Sequence, residues 1–217
     1  MNIGLISDIH ADLAALKTAI ALLRRKGTDV IVCAGDLIDK GPAGNEVIAY
    51  MRDEGIPCVR GNHDQRAPIY QKWYRENPSS AYTQNLLLTE DSLSYLQALP
   101  PALSIMWGDI KLLVAHGTPW NNEIYVFPGA RRSLFTRVAE DVVNSGAQAV
   151  VLGHTHQPMM GQVNGIWLFN PGSVCGSFCT GSHTCAILRL PEMAFQAFDI
   201  QTELPVRTSR PAYQLYD

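Results

Sequence analysis

Seven side chains of the kinds that bind divalent cations follow short apolar runs in this chain. Asp8 and His10 come after residues 3–6, Asp36 after 30–34, Asn62 after 57–60, His116 after 110–115, and His154 and His156 after 149–152. Asp8 and His10 are one residue apart, so in an extended turn both can face the same way and grip one cation. The carboxylate of Asp36 has two oxygens and can bridge to a second cation. Asn62 offers a neutral carbonyl oxygen, and the histidines offer imidazole nitrogens. Such a mixture suits Mn first, with Fe, Zn, Ni or Co as alternatives, rather than Mg or Ca. Two cations about 3.5–4 Å apart polarise a phosphoryl group and supply a hydroxide for in-line attack on phosphorus. The departing oxygen needs a proton, a task for a histidine such as His63, whose tautomer Asp39 or Asp64 can fix. Lys40, Arg60 and Arg66 stand close enough in sequence to hold phosphate oxygens.

The elements that must position these groups are legible in the pattern around them. A buried strand over 3–7 precedes a helix that Asp12 caps, with Leu13, Leu16, Ile20 and Leu23 on its apolar face and Gly27 as its stop. A strand over 30–34, a helix over 43–54 and a third strand over 57–60 follow. Strand–helix–strand order implies a parallel sheet with right-handed crossovers, so the class is α/β. Residues 65–100 are polar, aromatic and helical, with Trp73, Tyr74 and Tyr82 and a helix from Glu90 capped by Thr89. They form an expected helical insertion beside the site or a plain packing pair of helices. Hairpins are expected at 102–115, about Asn164-Gly165, and over 183–200, with a helix near 132–145 and a last short strand in the tail. Ligands in open α/β sheets sit beyond the carboxyl ends of strands, so five strand ends should converge.

A length of 217 residues fits one domain over 1–217, and 47% hydrophobic against 17% charged residues fits a well-buried interior. The formal net charge of -3 gives no footing to nucleic acid or an acidic membrane as the main partner. No apolar run reaches the roughly 18 residues of a membrane span, and the first residues enter a strand without a basic region or cleavage site. A cytoplasmic protein is the expectation, monomeric or homodimeric, acting on a small phosphate ester or nucleotide. Five cysteines without a C-x-x-C pair fit reduced thiols. Cys175, Cys179 and Cys185 with His183 could bind metal, but the short paired spacing of zinc sites is missing.

The blocks Asp8-Ile9-His10, Gly35-Asp36-Leu37-Ile38-Asp39, Gly61-Asn62-His63-Asp64, Ala115-His116-Gly117 and Gly153-His154-Thr155-His156 occur in this order. Residues 3 to about 174, ending in Asn170-Pro171-Gly172-Ser173, resemble the calcineurin-like metallophosphoesterase family, in particular its small bacterial and archaeal branch. The resemblance implies a four-layer α-β-β-α sandwich of two mixed sheets flanked by helices, with a binuclear site at one edge. It implies that Asp8, His10, Asp36 and His156 bind one metal and that Asp36, Asn62, His116 and His154 bind the other. It matches His63 to the proton donor and Asp39 to the acid that orients it. The Asp39-Lys40-Gly41 run and Arg60 are similar to the serine/threonine protein phosphatases, where an arginine often stands in place of Lys40. Lysine binds phosphate as a point charge without the bidentate fork.

Structural readings compete at several positions. Asp12 and Asp64 can serve as helix caps, and Asn170 and Ser173 can shape a turn. His183 matches no motif, and Trp73, Tyr74 and Tyr125 can pack or can stack on an aryl or nucleobase group. The functional expectation is hydrolysis of phosphodiesters or a broad range of phosphate esters. Protein phosphatase or dinucleoside-polyphosphate hydrolase activity is the alternative, and a non-catalytic scaffold on the same fold is a third reading.

Overall fold

Asp12 accepts a hydrogen bond from the Ala15 N–H at 3.0 Å and starts the first helix, as its position before an apolar 3.6-residue pattern demands. That helix ends at Gly27, whose φ of 77° lies in the left-handed region that glycine enters without strain. In the computed structural model, which describes residues 1–78 and 86–215, the elements run as follows. The first half contains β1 (Asn2–Ile6), α1 (Leu13–Arg25), β2 (Val30–Cys33), α2 (Gly44–Asp53), α3 (Asn62–Glu76) and α4 (Glu90–Ala98). The second half contains β3 (Ala102–Trp107), β4 (Ile110–Ala115), α5 (Arg132–Asn144), β5 (Ala149–Val151), β6 (Pro158–Val163), β7 (Ile166–Pro171), β8 (Thr184–Arg189) and β9 (Ala194–Asp199). Residues 79–85 of the expected helical insertion, with Tyr82, lie outside the described residues.

Two mixed sheets result, ordered β2-β1-β8-β9 and β3-β4-β5-β7-β6. β1 pairs parallel with β2, and β4, β5 and β7 pair parallel in sequence, while the hairpins pair antiparallel. Ile3, Leu5, Val32, Val114, Val151, Phe169 and Leu188 fill the space between the sheets. The outer face of the first sheet packs on α1, α2 and α4 through Leu16, Ile20, Leu23, Cys33, Val47, Met51 and Leu96. The outer face of the second packs on α5 through Leu113, Val150, Leu168, Phe135 and Val142. This is the expected α-β-β-α layering. The parallel-paired strands β1, β2, β4, β5 and β7 bury both faces, which explains why they read as continuous apolar runs.

Two expected strands are not formed. The segment 57–60 makes a single parallel bridge, Cys33 to Cys58. Pro57 has no N–H to give, and the Arg60 N–H is taken by the Pro100 carbonyl at 2.8 Å, so no ladder can extend. The tail makes isolated bridges at Pro205 and Ser209 and then a 3-10 turn over Ala212–Leu215.

Candidate metal centre

Six of the seven expected ligands sit in the loops beyond β1, β2, β4 and β5, and Asn62 opens α3. Asn62, His63 and Asp64 therefore occupy the first turn of a helix rather than a loop after a strand. The first turn of a helix has unpaired N–H groups that suit an anion. The His63 N–H is used in this way, donating to Asp36 Oδ1 at 2.9 Å. Asp64 caps the same turn by accepting from the Gly61 N–H at 2.9 Å, and reaches back to the Asp36 and Leu37 N–H groups at 2.9 and 2.8 Å. It thus pins the Asp36 loop to α3 and plays no part in orienting His63. Of the twelve non-glycine residues with positive φ among those described, eight lie in these loops: Asp8, His10, Ala11, Asp36, Asp39, Lys40, His154 and His156. Left-handed backbone at non-glycine residues costs energy and clusters where side chains must be aimed.

The aimed groups converge. Asp36 Oδ2 lies 3.2 Å from His116 Nε2 and 4.0 Å from His10 Nε2. Asn62 Oδ1 is 3.0 Å from His116 Nε2, and Asp8 Oδ1 is 3.3 Å from His156 Nε2. His10 Nε2 and His156 Nε2 face each other at 3.1 Å. The donor atoms of Asp36, His116 and His154 lie within 4.8 Å of one another. In three of these histidines Nδ1 donates to a main-chain carbonyl, His10 to Ile38 (3.3 Å), His116 to Ala34 (2.7 Å) and His156 to Thr180 (3.0 Å). That contact fixes the tautomer and leaves Nε2 with a lone pair for a metal. The fourth, His154, is held by the Glu123 main chain and stacks on Tyr125 at 3.7 Å between centroids.

The donors fit divalent cations on two independent grounds. Asp8 Oδ1 and His154 Nε2 are buried and complete no hydrogen bond. Buried polar atoms rarely go unpaired unless something else satisfies them. Electrostatics gives the second ground. Burial opposes charge on Asp8 and Asp36, yet the surrounding imidazoles hold both carboxyls below their ordinary range. In return, and again against burial, Asp36 lifts His116 and Asp8 lifts His156 to about 10, while burial and His116 push His154 down to about 4. Burial and the charge on Asp36 also push Asp64 up to about 6. Buried carboxylates that draw positive charge onto His116 and His156 form a group that cations would neutralise.

Around this centre, His63 Nδ1 meets Asp39 Oδ2 at 2.7 Å, and Tyr74 donates its hydroxyl to the other Asp39 oxygen at 3.4 Å. Burial opposes charge on His63, but the Asp39 bond outweighs it and raises the imidazole above its usual value. Lys40 reaches the cluster, with Nζ 3.2 Å from His10 Nε2. Arg60 does not. Its guanidinium bonds the Gln97 carbonyl at the end of α4, and among the described residues no hydrogen bond or ion pair joins it to the cluster. Arg66 is paired with Glu123 at 2.8 Å. Asn170 and Ser173 tie the ligand loops together, through the Gly153 carbonyl at 2.7 Å and the Asp8 carbonyl at 3.0 Å.

The cysteine trio is not gathered, because Cys185 is buried on β8 in the helix-side core. Cys179 is a neighbour of the centre that no sequence motif marks, and its sulfur lies within 4.8 Å of a ring nitrogen of His10 and of His156. A hydrogen bond from Cys175, with burial opposing, lowers its thiol to about 4. The only signal for it in the sequence is its place in the glycine-bearing loop after Asn170-Pro171-Gly172-Ser173.

Known proteins share both sequence and fold with this chain. A phosphodiesterase of Methanocaldococcus jannaschii is 24% identical over 87% of this chain and 92% of its own length. A symmetrical bis(5'-nucleosyl)-tetraphosphatase of Hamiltonella defensa is 32% identical over 54% of this chain and 44% of its own. A solved metallophosphoesterase from Sphaerobacter thermophilus shares the fold with a TM-score of 0.68 and 24% identity, covering 96% of this chain and 89% of that one. The family model described as the calcineurin-like phosphoesterase superfamily domain matches residues 1–193. The chain therefore belongs to the calcineurin-like phosphoesterase superfamily and is a hydrolase of phosphate esters.

Proposed function

We propose that this hydrolase is a binuclear enzyme acting on phosphodiesters or a broad range of phosphate esters. Asp8, His10, Asp36 and His156 hold one divalent cation, and Asp36, Asn62, His116 and His154 hold the other. The observation that carries this reading is the position of Asp36, a buried carboxylate facing His116 at 3.2 Å and His10 at 4.0 Å with the same oxygen. When bound, a pair of divalent cations withdraws charge from the phosphoryl oxygens and makes water nucleophilic near neutral pH. Mn stands first for the nitrogen and oxygen donors, with Fe, Zn, Ni and Co as alternatives.

The rest of the reaction falls to the protein. His63 gives its Nε2 proton to the departing oxygen, since Nδ1 is committed to Asp39. Asp39 holds the ring in that tautomer and favours its protonated form, and Tyr74 steadies Asp39. Lys40 supplies a positive charge for a non-bridging phosphate oxygen, a role the placement of Arg60 leaves to it alone of the two. A second reading, hydrolysis of dinucleoside polyphosphates, is favoured by the half-exposed Tyr125. It stacks on His154 and lies parallel to the exposed Phe127, 5.3 Å away between centroids, so an aromatic surface flanks the centre.

The test is hydrolysis of bis-p-nitrophenyl phosphate beside p-nitrophenyl phosphate, after stripping metals and restoring Mn, with Asp36→Asn as control. Faster diester turnover that requires Mn and disappears in the variant is expected. Activity that survives chelation, or in Asp36→Asn, would refute the binuclear reading.

A further inference from the structure

Hydrolysis by the groups named above needs no thiol, yet one stands at the rim of the centre. The donor atoms of Cys179, His10 and His156 lie within 4.8 Å of one another. His10 and His156 present their Nε2 atoms 3.1 Å apart, with each Nδ1 already bonded to a carbonyl. A tetrahedral cation with metal–nitrogen bonds of about 2.0–2.1 Å separates two imidazole nitrogens by roughly 3.3 Å, so these rings are set for a shared metal. A thiolate bound to the same ion at about 2.3 Å would lie roughly 3.6 Å from each Nε2, so Sγ, which now stands 3.9 Å from His156 Nδ1, must swing by side-chain rotation toward the Nε2 side.

Three further observations point the sulfur at this position. Asp8 Oδ1, buried and without a hydrogen bond, faces the same His156 nitrogen at 3.3 Å, so an unsatisfied acceptor with lone pairs for a cation already looks into the site. The contacts of Cys179 Sγ are long, 3.6 Å to the Cys175 carbonyl, 3.8 Å to Ser173 Oγ and 3.9 Å to His156 Nδ1, and would be given up cheaply. The residue after Cys179 is Thr180, whose carbonyl orients the His156 ring. One turn of chain thus sets both the imidazole and the sulfur.

We propose that Cys179 is a thiolate ligand of the cation held by Asp8, His10 and His156. The inference rests on the binuclear reading above and changes its metal preference. The thiol proton is released to solvent as the sulfur binds. A soft ligand makes this position select Zn, Co or Fe(II) over Mn, while the position of Asn62, His116 and His154 keeps only nitrogen and oxygen donors.

The test is titration of metal-free protein with Co(II), read by absorption. Wild type should show the visible ligand-field bands of bound cobalt and a near-ultraviolet sulfur-to-cobalt band. Cys179→Ser should keep the first and lose the second. Cobalt bound without the sulfur band overturns the role of Cys179 and leaves the binuclear reading standing. Absence of cobalt binding overturns both. Should Cys179→Ser fail to fold, wild type alone decides: Zn must protect Cys179 from alkylation, followed by peptide mass spectrometry, and Mn must not. An alkylation rate unchanged by Zn overturns the proposal.

Discussion

Gly61→Ala is the smallest change that should disable the metal centre, and its size can be worked from the backbone. Gly61 precedes α3 with an extended conformation of φ -77° and ψ 176°, which alanine adopts freely, so no backbone strain enters. The cost is steric. A Cβ there would press on Asp36 Oδ1 and on the Asp36 nitrogen, and would stand 2.7 Å from Asp36 Cγ. Carbon atoms pack at about 3.5–4.0 Å, so the carboxylate must retreat by about 1 Å. Asp36 is buried and held from both sides, by the His63 N–H on Oδ1 and by Asp64 on its own N–H. Retreat therefore breaks contacts as well as displacing the carboxylate proposed to be shared by the two cations. Overpacking of this kind costs about 2 kcal/mol, a fall in Tm of about 4–8 °C for a chain of this size. A 1 Å error in a reacting group costs about 100-fold in rate. Thermal denaturation, metal content and turnover of bis-p-nitrophenyl phosphate measure the three effects. Gly129→Ala, where a Cβ meets nothing within 4 Å, is the control. A Gly61→Ala protein with wild-type metal content and turnover would refute the close-approach argument and the bridging place of Asp36 with it.

Other outcomes follow from the same geometry. His63→Ala should leave metal content unchanged and lower kcat by about 10²–10⁴-fold, most for esters with poor leaving groups, because proton donation is all that it removes; equal loss on activated and unactivated esters would exclude that role. Lys40→Ala should lower kcat/KM by about 10–100-fold, the worth of one charge-assisted hydrogen bond, as read in steady-state kinetics. Phe135→Ala, which empties a fully buried site between α5 and the second sheet, should cost about 3–5 kcal/mol in urea denaturation while metal content stays at the wild-type level.

The parts of the fold that were legible are those fixed by local pattern. Parallel strands buried on both faces must be apolar throughout, so β1, β2, β4 and β5 stood out, and chemistry can begin only where each run ends. That is why Asp8, Asp36, His116 and His154 could be identified with the strands that carry them. Helix α1 was legible from Asp12 and Gly27 for equally local reasons. The partition into two sheets was not. The pairing of β1 with β8 joins residues more than 180 positions apart, and no local period records it.

Side chains at the site depart from expectation for one physical reason, which is that sequence distance fixes where a backbone passes and not where a side chain turns. Arg60 adjoins Gly61 and Asn62, yet its N–H is drawn to Pro100 and its guanidinium to Gln97, both near the end of α4. An alternation of direction along extended chain sends neighbours to opposite sides, so adjacency to a ligand argued as much against Arg60 as for it. Cys179 is the converse case. It is 23 residues from His156 and lies on no strand or helix, so no period points to it. It reaches the centre because Thr180 must come close enough to bond the His156 ring. Groups that touch a ligand through the main chain leave no residue-type signature at all. The loop bearing Thr180 thus carries chemistry that residue identities alone would have assigned to the histidine.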